Sequence, residues 1–168
     1  MCGITGFIDF KRNTSMQVLH KMTDVLHHRG PDGSGYELIE KENYVLGFGH
    51  RRLSIIDLTE SGAQPMRFQE FWISFNGEVY NFREIKSELE SLGHKFKSTS
   101  DTEVVLQAYI RWGGKCVDKF IGMFAFVIYN SSEGKVFCCR DRAGVKPFYY
   151  YFKDDLFLFS SELKSFHE

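Results

Sequence analysis

Two helical stretches lie one after the other in the middle of this chain, with strand-like segments on both sides of them. That clustering limits the available folds more than any other feature. From Phe82 to Leu92 the apolar residues Ile85, Leu89 and Leu92 recur at helical spacing, and Gly93 is a stop signal. From Thr102 to Trp112, Val105, Tyr109 and Trp112 do the same, closed by Gly113-Gly114. The start of this second helix, Ser100-Asp101-Thr102-Glu103, reads as a capping box. A third helix is predicted where Met16, Leu19, Met22 and Leu26 share a face, capped by Thr14 or Ser15 and ended by Gly30-Pro31. Strands are predicted for Cys2 to Phe10, Tyr36 to Ile39, Tyr44 to Ile56, and Phe71 to Phe75 running into Asn76-Gly77. Asp57 to Pro65 reads as a loop. Further strands follow at Met123 to Tyr129, Val136 to Arg140, Phe148 to Phe152 and Leu156 to Phe159. Asn130 to Gly134 and Lys153 to Asp155 read as hairpin connections. Helices that cluster, instead of alternating with strands, predict an α+β fold with antiparallel sheets.

Residues 1–168 suit one domain, and a chain of this length buries enough surface to fold without staples. A formal net charge of -1 and the absence of any Lys/Arg run longer than two argue against nucleic acid and against an anionic membrane surface as partners. No stretch approaches a membrane span, and the N-terminus has no apolar signal region. The four cysteines, Cys2, Cys116, Cys138 and Cys139, contain no C-x-x-C pair, so no zinc site is expected. Cys138 and Cys139 should point to opposite faces of their strand as buried reduced thiols, which suits a cytoplasmic compartment.

Chemistry concentrates at the amino terminus. Initiator Met is removed when the second residue is small, and Met1-Cys2-Gly3-Ile4 qualifies. The processed chain would carry a free α-amine beside the thiol of the same residue. With reference pKa values of about 7.7–8.0 and about 8.5, the amine can accept the thiol proton near neutral pH. One residue then supplies both nucleophile and base. The alternative is a small residue at the start of a strand. Asn76-Gly77 also reads two ways, as a hairpin turn or as a side-chain amide and an unobstructed N–H aimed at one oxyanion. Arg52 and Asp101 form a cation and an anion able to hold the charged head of an amino acid, or are a surface charge and a helix-terminus charge.

Two denser clusters point less clearly. His27-His28-Arg29-Gly30-Pro31-Asp32-Gly33 reads as a structural loop covering a pocket, since adjacent histidines seldom share a metal ion. Arg140-Asp141-Arg142 reads as an internal ion-pair network.

These pieces, in this order, resemble the class II glutamine amidotransferase domain in its asparagine-synthetase-type branch. The resemblance rests on Cys2-Gly3-Ile4, His28-Arg29-Gly30-Pro31-Asp32, Arg52-Leu53-Ser54-Ile55-Ile56-Asp57, Gln64-Pro65 and Phe75-Asn76-Gly77-Glu78-Val79-Tyr80-Asn81. It continues through Ser100-Asp101-Thr102-Glu103, Gly122-Met123-Phe124-Ala125-Phe126, Arg140-Asp141-Arg142 and Ser161-Glu162.

The resemblance implies a four-layer αββα sandwich of two antiparallel sheets flanked by helices. It implies that Cys2 forms a γ-glutamyl thioester and that Asn76 and Gly77 form the oxyanion hole. Arg52 would hold the α-carboxylate of L-glutamine. Glu78 and Asp101 would hold its α-amino group, with backbone help from Ile55 or Ile56. The domain itself would need no cofactor. ATP and Mg are expected only in a C-terminal synthetase domain of the same longer polypeptide, which lies outside these residues; an abrupt end in what reads as a starting helix fits a piece of such a polypeptide. Aspartate is the leading ammonia acceptor, with a sugar or secondary-metabolite precursor as the alternative. A non-catalytic module of a synthetase and a cysteine peptidase or acylase are the competing readings, and self-association into a homo-oligomer stays open.

Overall fold

The computed structural model of the chain describes residues 1–53 and 62–168. Its elements follow the expected order. Strand β1 (Gly3–Asp9) leads to helix α1 (Met16–Asp24), then β2 (Gly33–Glu40) and β3 (Val45–Arg52). Strands β4 (Met66–Phe68) and β5 (Phe71–Val79) precede helices α2 (Phe82–Ser91) and α3 (Asp101–Trp112). Strands β6 (Gly122–Asn130), β7 (Lys135–Arg140), β8 (Tyr149–Lys153) and β9 (Leu156–Ser160) follow, and short 3-10 turns lie at His27–Arg29, Gly113–Lys119 and Leu163–His167.

The strands form two antiparallel sheets. One has the order β2-β3-β1-β9-β8 and the other β4-β5-β6-β7. Strand alternation sorts the apolar residues into three buried layers. Phe7 of β1 and Val45 of β3 pack with Leu19 and Met22 of α1 on the outer face of the first sheet. Leu46 and Phe48 of β3 meet Val127 and Tyr129 of β6 and Phe159 of β9 between the sheets. Ile73 and Phe75 of β5, with Phe126 and Ile128 of β6, pack against Leu89 of α2 and Val105 and Leu106 of α3. Helix, sheet, sheet, helix is therefore the layer order, the αββα sandwich. Cys138 and Cys139 do face opposite ways, one toward the inter-sheet layer and the other toward the α2–α3 layer, but both are half-buried and not buried as expected.

Several local expectations are corrected. Asn76-Gly77 is no turn: both lie inside β5, paired across to Ala125 and Phe124 of β6. Nine consecutive pairs from Phe71↔Asn130 to Val79↔Gly122 outweigh the local turn preference of Asn-Gly. Ser15 occupies the position ahead of α1 but makes no side-chain cap, and Thr14 instead binds Asp9 through its N–H and hydroxyl. Ser100 does cap α3, accepting from Thr102 N–H at 3.1 Å. Glu103, however, turns to the N–H groups of Lys97 and Ser98. Strand β4 was not expected, since three residues carry no readable alternation. The β8–β9 hairpin turns on Asp154 and Asp155, both at positive φ (53° and 65°), which matches the right-handed twist of the strands. The end of the strand predicted to reach Ile56, and most of the loop from Asp57, fall outside the described residues.

Candidate active site

The carboxyl end of β3, the middle of β5 and the start of α3 converge on a cleft of about 240 Å³. Cys2, Arg52, Asn76, Gly77, Glu78 and Asp101 all line it. The structure thus brings together six of the eight site residues expected from sequence. The other two, Ile55 and Ile56, lie outside the described residues.

Cys2 sits at the entry to β1. Its Sγ receives the Leu53 N–H at 3.3 Å and lies 3.6 Å from the Leu53 carbonyl oxygen, so the end of β3 fixes the thiol beside Arg52. The Arg29 Nε donates to the Cys2 carbonyl at 3.0 Å. Arg29 is in turn held by Glu162 at 3.0 Å, and Glu162 also receives His28 at 2.9 Å and Lys164 at 3.2 Å. Burial pushes the Glu162 carboxyl up, but hydrogen bonds from Arg29, His28 and Lys164 outweigh it and hold the group at about 2. The histidine-arginine cluster is therefore a structural clamp on the amino terminus. Among the described residues, no group of three or more His, Cys, Asp or Glu is arranged to hold a metal ion.

Asn76 is 1% exposed, and its Nδ2 has no hydrogen-bond partner among the described residues. A buried amide donor is available there to an acceptor in the cleft. Gly77 is required sterically: a Cβ there would come within 2.4 Å of the Met123 carbonyl oxygen and 2.6 Å of Phe124 Cα on β6. The neighbouring strand approaches so closely that only glycine passes.

Asp101 opens α3 and is 5% exposed. Burial raises its carboxyl to about 6, helped by the nearby Glu78 charge and opposed by the Val79 N–H, which donates to Oδ2 at 3.1 Å. Two carboxylates facing one cleft call for a cation between them. Arg52, at the end of β3, supplies the opposite charge in the same cleft.

Three residues matter that sequence reasoning did not place. Gln64 accepts the Phe75 N–H at 2.6 Å and donates to Thr102 Oγ1 at 3.2 Å, tying the Asn76 strand to the helix that carries Asp101. His50, buried between the sheets, lies beside the Phe75 carbonyl. Lys146 lines the cleft, with its Nζ 3.1 Å from Met1 Sδ. Only Gln64 left a trace in the sequence, as Gln-Pro in the family pattern; the other two are visible only once the sheets are packed. Arg140-Asp141-Arg142 is also corrected. Arg140 binds the carbonyls of Gly144 and Lys146, Asp141 accepts the N–H groups of Phe124, Val145 and Lys146, and Arg142 pairs with Asp118. These residues brace a turn.

The model of the glutamine amidotransferase domain family matches residues 1–168, and the chain belongs to that family. Asparagine synthetase [glutamine-hydrolyzing] 3 of Bacillus subtilis is 45% identical over 171 residues, covering 98% of this chain and 27% of that protein. Putative asparagine synthetase [glutamine-hydrolyzing] 2 of Methanocaldococcus jannaschii is 42% identical over 180 residues, covering 98% of this chain and 34% of that protein. The chain thus spans roughly a quarter to a third of the length of these relatives. Among solved structures, the glutamine phosphoribosylpyrophosphate amidotransferase from B. subtilis superposes with a TM-score of 0.81 at 21% identity, over 99% of this chain and 43% of that one. At that identity the likeness carries the fold. Among the described residues no helix is long and apolar enough to cross a membrane.

Proposed function

We propose that this chain hydrolyses L-glutamine to L-glutamate and ammonia through a thioester on Cys2, formed after Met1 is removed. The α-amine of Cys2 takes the thiol proton, and the sulfur attacks the δ-carbonyl carbon. Asn76 Nδ2 and the Gly77 N–H receive the resulting oxyanion. As the tetrahedral adduct collapses, the amine returns the proton to the leaving nitrogen and ammonia departs. Water, deprotonated by the same amine, then cleaves the γ-glutamyl thioester to glutamate. Arg52 binds the substrate carboxylate, and Glu78 with Asp101 binds its ammonium. Ile55 and Ile56 are proposed to add backbone contacts to that ammonium.

The observation that carries this reading is the buried amide of Asn76, which has no partner among the described residues, in the cleft that also holds the Cys2 thiol. A donor fixed in that state before substrate arrives needs no reorganisation when charge develops. The names of the relatives support the reading and extend it. Residues 1–168 are proposed to form one glutaminase domain of a longer cytoplasmic polypeptide. Its synthetase domain would use ATP and Mg to activate aspartate and receive the ammonia. The test is glutamine turnover by the parent chain and by Cys2→Ala, together with mass-spectrometric mapping of a diazoketone glutamine analogue. Loss of turnover with retained fold and label on position 2 supports the mechanism. Parent-rate hydrolysis by Cys2→Ala overturns it.

A second reading turns on processing. A chain that retains Met1 has an amide, not an amine, at Cys2 and would be a non-catalytic module. Intact mass separates the two.

A further inference from the structure

Lys146 is buried where a lysine is not expected. Its neighbour Val145 is 55% exposed, whereas Lys146 itself is 4% exposed. In a strand or turn that alternates between solvent and interior, the apolar residue normally faces inward and the lysine outward. Here the order is inverted, and the inversion is held in place from both sides. The Lys146 N–H donates to Asp141 Oδ2 at 2.9 Å, and the Lys146 carbonyl receives Arg140 Nε at 2.8 Å. Gly144, at φ +64°, allows the tight bend that precedes it. A whole turn is spent on directing one ammonium group into the cleft.

What that ammonium meets is the amino terminus. Its Nζ approaches Met1 Sδ at 3.1 Å, and a thioether is a weak acceptor for a cation. Removal of Met1 takes that partner away and creates an α-amine on the next residue. The charged groups around this point come from every neighbouring element. Arg29, from the turn after α1, binds the Cys2 carbonyl, but Glu162 pairs with it at 3.0 Å. Glu78, from β5, lines the same cleft, and Asp141 sits behind Lys146. Arg52 and the Leu53 backbone close the side toward β3. Burial lowers the Lys146 ammonium from its ordinary value and the Arg29 charge works in the same direction, while Cys2, Glu78 and Asp141 draw it back up.

We propose that Lys146 is a positioning residue of the glutamine-cleaving centre: its buried positive charge keeps the α-amine of Cys2 in the free-base form until it accepts the thiol proton, and stabilises the Cys2 thiolate that this transfer leaves. The inference rests on Cys2 being the nucleophile. A cation beside an amine disfavours its protonated form, and the same cation stabilises a thiolate. Both effects lower the pH at which the nucleophile becomes competent.

The experiment uses the full chain with Cys2 as its first residue, verified by intact mass. Lys146→Met removes the charge at similar volume, Lys146→Gln is a second neutral variant in case the first does not fold, and Lys146→Arg keeps the charge. Two pH profiles are measured, the rate of Cys2 alkylation by iodoacetamide and kcat/KM for glutamine. In the neutral variants the acid limb of both profiles should move up by about one unit, with about a tenfold loss of kcat/KM at pH 7 and little change in KM. Lys146→Arg should restore the limb. Limbs unmoved in a folded neutral variant, or displaced as far in Lys146→Arg as in Lys146→Met, overturn the assignment. The alkylation profile reads the thiol whether or not glutamine is the substrate. Glutamine turnover surviving in Cys2→Ala would sink the nucleophile reading itself, a different result from an unmoved limb.

Discussion

The Nε2 of His50 lies 3.2 Å from the carbonyl oxygen of Phe75. That bond joins β3 of one sheet to β5 of the other, one residue ahead of Asn76. The carbonyl can only accept, so Nε2 carries the hydrogen of this bond. Burial lowers the His50 pKa to about 4, against a partial rise from the Phe75 bond and a small lowering by Arg52.

This pairing makes stability depend on pH. Unfolded, the His50 ring takes up a proton near its ordinary value of 6.5; folded, it resists until about pH 4. The associated stability is full above pH 6.5 and is lost as pH falls through that window, on the order of 3 kcal/mol. Asp101 acts in the opposite sense. Its carboxyl is raised from 3.8 to about 6, so the folded state holds a proton that the unfolded chain has released, and stability is lost as pH rises from about 4 to 6. The two trends offset one another in the parent. His50→Gln should therefore become more stable on acidification from pH 6 to 4, and Asp101→Asn less stable. Urea unfolding at four pH values reads both slopes, and equal slopes in the two variants would contradict the assignment.

The proposed contact of Asp101 with the substrate ammonium predicts how glutamine binding titrates. Only its anion can hold an ammonium group, and the proton competes for the same oxygens. KM for glutamine should rise about tenfold per pH unit below about 6, and Asp101→Asn should raise KM at neutral pH while removing that dependence. Steady-state kinetics from pH 5 to 8 decides the matter.

Asn76 and Gly77 should fail differently. If Asn76 is the proposed oxyanion donor, Asn76→Ala should lower kcat about 10²–10³-fold with KM nearly unchanged. Gly77→Ala drives a Cβ into the β6 backbone and should lower both activity and the unfolding temperature. Thermal unfolding of the two variants, run beside their kinetics, separates a chemical loss from a packing loss.

The clamp on the amino terminus has its own acid signature. Glu162 is held at about 2 against an ordinary 4.5. The stability this represents is present above pH 4.5 and disappears as pH falls toward 2. Glu162→Gln should lose that dependence and release Arg29, slowing glutamine turnover by loosening Cys2. A variant with parent acid sensitivity would show that Arg29, not Glu162, sets the clamp.

Element types were legible in the sequence because they are local. Helical spacing in Ile85, Leu89 and Leu92 and alternation around Phe7 and Ile8 report which faces must be buried, whatever they are buried against. Ser100-Asp101 reads as a helix start for the same reason. The family pattern named Cys2, Arg52, Asn76, Glu78 and Asp101 without locating them. Only the tertiary structure decided that Asn76-Gly77 is strand and not turn, since pairing with Ala125 and Phe124 lies nearly fifty residues away. It alone decided that Lys146 points inward, because Asp141 and Arg140 bind its backbone and not each other. It alone placed His50 on the Phe75 carbonyl, across two sheets that no short-range pattern connects. Local preference is a matter of tenths of a kcal/mol to about one per residue. A long register, a buried bond or a close approach between strands involves more than that, and those are the terms that assembled the site.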